Sequence, residues 1–226
     1  MEYVAESRRN PFDLNPPCEQ PVLGYGDVNA HFHVIGDHPG VHGGTETGVP
    51  FTGRPWSTPF FDALERGGLV QEFDTENSTL DCPETFFSYL SMCAPETVET
   101  AGEDSDGDEL ADGDELAGVY ARLEPYFDAE LRAITAHVLL PVGPRATEHV
   151  LATYTSLPAD RDTERQHARL LSGSGWLVLP IAEPADWTNG DADQLVERLQ
   201  DLRERDYRQQ SDLGRFIPGE EPYLVR

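Results

Sequence analysis

The sequence predicts an α/β protein, a three-layer αβα sandwich with a mainly parallel four-stranded sheet. Four short apolar runs have the length of buried strands, and turn residues follow each of them. The segments between these runs show helical periodicity or helix-start signals. Strands that alternate with helices in this way form a parallel sheet that is covered on both faces.

The predicted strands span residues 31–35, 85–92, 137–142 and 176–181. Two prolines, Pro141 and Pro180, lie inside the last two runs. Proline cannot donate a hydrogen bond to a strand ladder, so we expect both residues near the strand ends.

The predicted helices span residues 57–68, 125–136, 144–154 and 191–207. The first has a serine cap, an early proline and a glycine stop. The second places Phe127, Leu131 and Ile134 at helical spacing. The third opens with Pro144, and the last is a long charged amphipathic segment.

An acidic segment at about residues 96–118 interrupts this alternation. The sequence Asp-Gly-Asp-Glu-Leu-Ala occupies residues 106–111 and is repeated without change at 112–117. It lacks the ligand spacing and closing glutamate of a calcium-binding EF-hand loop. A segment with so many charged residues buries too little apolar surface to fold by itself. We therefore expect a disordered insertion within a single domain that comprises residues 1–226.

Acidic residues dominate the charge of the chain. Asp and Glu number 42 against 16 Lys and Arg, all of them Arg, and the net charge is −26. Such an excess usually opposes DNA binding, because phosphate contacts supply most non-specific affinity. In a salt-rich cytoplasm, however, charges are screened within about 3 Å at 1 M salt. The composition thus favours a halophilic, cytoplasmic protein without excluding DNA, and an ordinary acidic mesophilic protein is the alternative.

Other sequence features argue against further classes. No secretory leader and no run of about 18 apolar residues occurs, so we expect no membrane association. Cys18, Cys82 and Cys93 are widely spaced and odd in number, so neither a disulfide framework nor a zinc ribbon is expected.

The richest candidate site follows the first predicted strand. Ligands of parallel sheets bind at the carboxyl ends of the strands. There, Asp37 follows Gly36, Pro39 and Gly40 turn the chain, and a glycine-rich loop presents Phe51. A carboxylate beside a glycine-rich wall and an aromatic platform suits a planar ligand such as a nucleobase.

The motifs at this site resemble those of the uracil-DNA glycosylase superfamily. Gly36-Asp-His-Pro-Gly40 and Gly48-Val-Pro-Phe-Thr-Gly53 follow a strand in the order and spacing of that family. Residues 124–134 and 138–148 resemble its next helix and strand. The similarity covers roughly residues 16–200 and is strongest to microbial members that carry an iron–sulfur cluster.

The resemblance implies a hydrolase of base-excision repair, which acts as a monomer on DNA that contains a damaged or deaminated base. The target base would be flipped out of the duplex and its N-glycosidic bond hydrolysed. Asp37 would orient a water molecule and stabilise the cationic sugar. Phe51 would stack on the base, and backbone amides near Asp37 and His38 would bind its edge. Gly36, Pro39 and Gly40 complete the expected substrate-binding turn.

Three positions depart from the family pattern. Glu183 stands where the family has a histidine that stabilises the leaving base, and Tyr89 replaces an asparagine that reads uracil. Cys18 and Cys93 match two of the four cluster ligands, but Leu123 occupies the last position. We therefore expect no four-cysteine cluster and no other metal.

Two interpretations follow from these departures. The chain is either a glycosylase with altered base preference, or a weak or inactive member that binds DNA or a nucleobase without turnover. A nucleotide- or sugar-phosphate-binding protein would require a phosphate loop, and neither a Walker motif nor Gly-x-Gly-x-x-Gly is present. An acidic interaction module is a third possibility, although halophilic composition explains the charge more simply.

Overall fold

A computed structural model describes residues 14–95, 112–155, 157–158, 163–173, 175–188 and 190–208 of the chain. Its strands are β1 (Tyr25–Gly26), β2 (Phe32–Gly36), β3 (Glu72–Asp74), β4 (Thr79–Asp81), β5 (Thr85–Tyr89), β6 (Val138–Pro141), β7 (Leu171–Gly173) and β8 (Trp176–Val178). Its helices are α1 (Pro39–His42), α2 (Ser57–Arg66), α3 (Asp112–Ile134), α4 (Gly143–Tyr154), α5 (Thr163–Gln166) and α6 (Asp191–Glu204). A short 3₁₀ turn spans Pro184–Asp186.

The central sheet has six strands in the order β1-β5-β2-β6-β8-β7, and β3 pairs with β4 in a separate two-stranded sheet. The four predicted strands are its parallel centre, as β2 pairs with β5 and β6, and β6 pairs with β8. The predicted number of four strands is nevertheless too small, because β1 and β7 add antiparallel edges. These edges are only two and three residues long, too short to show a periodic pattern.

Helices cover both faces of the sheet, as predicted for an αβα sandwich. Alternate residues of a strand point to opposite faces. Phe32 and Val34 of β2 pack in a core with residues of α2 and α6. Ile35 faces a second core that contains residues of α3 and α4. Because helices cover both faces of the sheet, β2, β5 and β6 are buried at every position.

Helix α3 begins earlier than the sequence predicts. It spans Asp112–Ile134 and continues through Pro125, where we expected the helix to start. Residues 112–118, predicted as part of a disordered insertion, are instead its first turns, while residues 96–111 lie outside the described part of the chain. Val119, Leu123 and Phe127 are buried at four-residue spacing, and this apolar stripe stabilises the helix despite its acidic start.

The remaining helices and the strand ends agree closely with the predicted pattern. Helices α2, α4 and α6 each begin at the predicted first residue or one residue away from it. Pro141 is the last residue of β6, and Pro180 lies beyond the end of β8. Among the described residues, no helix is long and apolar enough to cross a membrane.

Candidate active site

The end of β2 places Asp37 at the carboxyl edge of the sheet. Gly36 is required there, since a Cβ atom on it would lie 2.7 Å from both the His42 ring and the Tyr89 ring. The backbone of Asp37 is hydrogen-bonded on both sides. Its carbonyl accepts from the Ser91 amide at 3.0 Å, and its amide donates to His42 Nδ1 at 2.8 Å.

The Asp37 carboxylate lies between side chains from two helices. Tyr120 of α3 donates a hydrogen bond to Oδ1, and Arg145 Nε of α4 lies 3.4 Å from Oδ2. The Arg145 guanidinium also lies over the Tyr120 ring, 4.6 Å from its centroid, a cation–π contact. The carboxylate is 15% exposed, so solvent or a ligand reaches it from one side.

Tyr120 remains a hydrogen-bond donor at neutral pH. Burial, followed by the charge of Asp37 and the hydrogen bond to it, raises the pKa of its phenol well above the ordinary value. We did not predict Tyr120, because its segment adjoins the acidic repeat. Arg145 was also missed, although its position in the first turn after the third predicted strand places it at the same sheet edge.

Phe51 and Tyr89 form a fully buried aromatic wall behind Asp37. The Tyr89 hydroxyl accepts a hydrogen bond from the Phe51 amide at 2.6 Å and lies 3.1 Å from the carbonyls of His42 and Gly43. Burial raises the pKa of this phenol far above its ordinary value. Tyr89 therefore holds the Phe51 loop, which has a left-handed conformation at Phe51 with φ of 65°.

A buried histidine, His42, links Glu183 to the Asp37 backbone by hydrogen bonds. His42 Nε2 lies 3.0 Å from Glu183 Oε2, while its Nδ1 accepts the Asp37 amide proton. Since Nδ1 is an acceptor, the ring proton of a neutral His42 is on Nε2 and is donated to Glu183. The Asp37 amide, which we expected to bind the base edge, is therefore already hydrogen-bonded to His42.

The turn that follows Asp37 is the four-residue helix α1. His38 precedes it, and its Nδ1 accepts from the Gly40 amide at 3.1 Å. Arg54 donates to the carbonyl oxygens of Pro39 and Gly40. Gly36, His38, Pro39 and Gly40 thus lie together at the end of β2, as the sequence predicts, and Arg54 is an additional residue that fixes the turn.

The cysteines do not fit a four-cysteine iron–sulfur cluster. Cys18 and Cys93 are bonded to each other in a disulfide, and Leu123 packs beside them in an apolar cluster. From the sequence we expected no disulfide framework and did not foresee this single disulfide, because spacing alone does not show that the N-terminal segment passes the end of β5. Cys82 belongs to a different core, where burial raises the pKa of its thiol to about 12. Within the described ranges, no group of three or more His, Cys, Asp or Glu could hold a metal ion.

Comparisons with known proteins agree with the motifs at this site. The family model of the uracil DNA glycosylase superfamily matches residues 23–203. A type-5 uracil-DNA glycosylase of Thermus thermophilus is 37% identical over 91 residues, which cover 39% of this chain and 41% of that protein. A type-5 uracil-DNA glycosylase of Mycobacterium leprae is 36% identical over 69 residues, which cover 30% of each protein. The matched region therefore spans less than half the length of these relatives.

Proposed function

The chain belongs to the uracil-DNA glycosylase superfamily, and from this premise we propose that it is a DNA N-glycosylase of base-excision repair. Its substrate is DNA with a uracil or another damaged base, which is flipped out of the duplex before the bond is hydrolysed. The observation that carries this proposal is the partly exposed Asp37 carboxylate, oriented by Tyr120 and Arg145 at the carboxyl end of β2.

The reaction requires stabilisation of opposite charges on the sugar and the base. When the glycosidic bond breaks, its electron pair leaves with the base and the sugar becomes an oxocarbenium ion. The Asp37 carboxylate stabilises that cation and takes the proton that the water loses as its oxygen bonds to the sugar, while the departing base anion takes a proton from solvent. Its contacts with Tyr120 and Arg145 fix its orientation before substrate binds.

The position of Glu183 supports an active enzyme rather than opposing one. A free carboxylate facing the leaving base would repel its developing negative charge. Here Glu183 Oε2 accepts a hydrogen bond from His42 at 3.0 Å, and the Glu183 side chain is 19% exposed. The Glu183 carboxylate is therefore engaged by a hydrogen-bond donor within the protein.

Finer parts of the proposal rest on composition and on the cysteine pairing. We propose that the enzyme acts without an iron–sulfur cluster, because its two matching cysteines are joined to each other. The net charge of −26 supports a halophilic, cytoplasmic protein that acts as a monomer on DNA at high salt.

Base release from defined oligonucleotides tests the proposed activity. Duplexes that contain uracil, hypoxanthine, xanthine or a mismatch are incubated with the protein in multi-molar KCl, and free base is measured by chromatography. We expect release from at least one substrate and a loss of about 100-fold or more in Asp37→Asn.

The matched control is Asp62→Asn, which changes an exposed carboxylate of α2 that pairs with Arg66 and should retain full activity. If the wild-type protein binds every duplex and releases no base, the proposed activity is wrong and the binding-only alternative holds. A fully active Asp37→Asn would contradict the role of Asp37 alone.

A further inference from the structure

We infer that Glu183 and His42 are a positioning pair that holds the backbone of Asp37 for the reaction. This inference rests on the proposed function, and it assigns a positioning role to these two residues. Glu183 accepts from His42 Nε2 at 3.0 Å, and His42 Nδ1 accepts from the Asp37 amide at 2.8 Å. One hydrogen-bonded chain thus links residue 183, beyond β8, to the end of β2.

Both nitrogens of the His42 imidazole are engaged in hydrogen bonds. His42 is fully buried, and a buried imidazole nitrogen without a partner would be costly. Both nitrogens have partners, and the direction of the Asp37 hydrogen bond specifies one tautomer. The ring therefore has one favoured tautomer and one favoured orientation.

Two glycines, Gly36 and Gly143, leave space for the His42–Glu183 pair. A Cβ atom on Gly36 would lie 2.7 Å from His42 Nδ1, and one on Gly143 would lie 2.6 Å from Glu183 Oε2. Gly143 also has φ of 80°, a conformation that disfavours other residues. Glycines from two neighbouring strand ends thus accommodate the same two side chains.

Aromatic side chains pack around the His42 ring. The centroid of the His42 ring lies 5.4 Å from the ring centroid of Phe51, 5.9 Å from that of Trp56 and 6.2 Å from that of Tyr89. These three aromatic side chains restrict the movement of the imidazole ring. A histidine so enclosed is suited to orienting a neighbouring group rather than to leaving the site during turnover.

The pair also accounts for the unusual residue at position 183. Glu183 stands where the family resemblance implies a histidine for the leaving base, and here it is engaged by His42. The carboxylate orients the imidazole, and the imidazole fixes the amide of the residue that carries the reactive carboxylate. Its contribution should therefore appear in the rate of the chemical step rather than in DNA binding.

Paired substitutions at position 183 test the inference, because this side chain is near the surface. Glu183→Gln keeps an oxygen that accepts from His42 Nε2, whereas Glu183→Ala removes it. We expect Glu183→Ala to lower kcat by about tenfold with KM for the damaged duplex unchanged, and Glu183→Gln to restore most of kcat. Asp186→Ala, an exposed change in the same loop, is the control and should leave kcat unchanged.

Hydrogen exchange of the Asp37 amide, followed by NMR, measures the chain of hydrogen bonds without turnover. We expect the amide to be protected in the wild type and in Glu183→Gln, and to exchange faster in Glu183→Ala. His42→Asn retains an acceptor near the Nδ1 position and His42→Leu does not, so protection should persist in the first and be lost in the second.

The two measurements separate this inference from the proposed function. If the wild type releases no base, the proposed activity fails, and amide exchange alone decides whether the pair holds Asp37. Equal protection of the Asp37 amide in Glu183→Ala and wild type would overturn the inference, as would an active enzyme whose kcat is unchanged in Glu183→Ala.

Discussion

At the scale of single residues, the environment of Asp37 determines what its carboxylate can do. Oδ1 accepts from Tyr120, Oδ2 faces Arg145, and the amide is held by His42. The site thus uses one predicted residue and three that sequence reasoning did not assign to it. Only the place of His42 between Asp37 and Glu183 indicates its role.

Removal of the Tyr120 hydroxyl should slow the reaction without unfolding the protein. In Tyr120→Phe the ring still lies beneath Arg145, but Asp37 Oδ1 loses its donor. A hydrogen bond to a charged group stabilises by about 1.5–3 kcal/mol, so we expect kcat to fall by at least about tenfold. Single-turnover base release measures this change.

The matched control for this change is Tyr126→Phe on the same helix. Its hydroxyl donates to the Asn15 carbonyl at 3.1 Å, away from Asp37. Equal losses of activity in both variants would show that the effect of Tyr120 arises from general damage to α3.

At the scale of elements, the Cys18–Cys93 disulfide joins the N-terminal segment to the loop after β5, beneath α3. The bonded cysteines are 75 residues apart in sequence. A crosslink that closes so long a loop restricts the unfolded chain and stabilises the fold by about 4 kcal/mol. Reduction should therefore lower the free energy of unfolding by about this amount, as measured by guanidinium titration with and without a reductant.

Intact mass under non-reducing conditions checks the premise, since the oxidised chain is lighter by two hydrogen atoms. The double variant with Cys18→Ser and Cys93→Ser should unfold identically with and without reductant. A wild-type protein whose stability does not respond to complete reduction would contradict this assignment of the stabilising crosslink.

A second element-scale feature is a buried polar cluster between β2, β5 and α3. His33 Nε2 lies 2.8 Å from the Ser88 hydroxyl, and Glu130 accepts from the Gly24 amide at 3.2 Å. Burial raises the pKa of Glu130 to about 8 and lowers that of His33 to about 3. Both side chains are therefore neutral in the fold at pH 7.

The two groups make opposite contributions to the pH dependence of stability. Glu130 ionises at about 4.5 in the unfolded chain and at about 8 in the fold. Its contribution is complete below pH 4.5 and is lost as the pH rises to 8. His33 has a lowered pKa, so its contribution is present above pH 6.5 and is lost as the pH falls toward 3.

Between pH 6.5 and 8 the contribution of His33 is constant, and only that of Glu130 changes with pH. Stability should fall there by up to about 1.4 kcal/mol per pH unit, and Glu130→Gln should remove this dependence. Denaturant unfolding at several pH values measures it. The same slope in wild type and Glu130→Gln would show that another group is responsible.

At the scale of the whole molecule, the net charge of −26 opposes compactness unless salt screens it. If the composition reflects a salt-rich host, the melting temperature should rise steeply as KCl increases from millimolar to molar concentrations. Sucrose at equal osmolality is the control, because it does not screen charge. A melting temperature that is independent of KCl would contradict the halophilic interpretation.

Local pattern by itself determined much of this molecule. Apolar runs of strand length, glycine and proline at their ends, and helical spacing between them predict the four central strands and the starts of α2, α4 and α6. Because parallel strands share a carboxyl edge, the same pattern places Asp37 and Glu183 at one side of the sheet. These features depend on residues that are close in sequence, so the order of apolar, glycine and proline residues is enough to predict them.

Only the tertiary structure decided which groups meet at that edge. Tyr120 reaches Asp37 across 83 residues, and His42 reaches Glu183 across 141. The edge strands were missed because two or three residues show no periodicity, and the start of α3 because its acidic turns resemble an unstructured tract. In each case, packing against distant parts of the chain supplies the stabilisation that local propensity lacks.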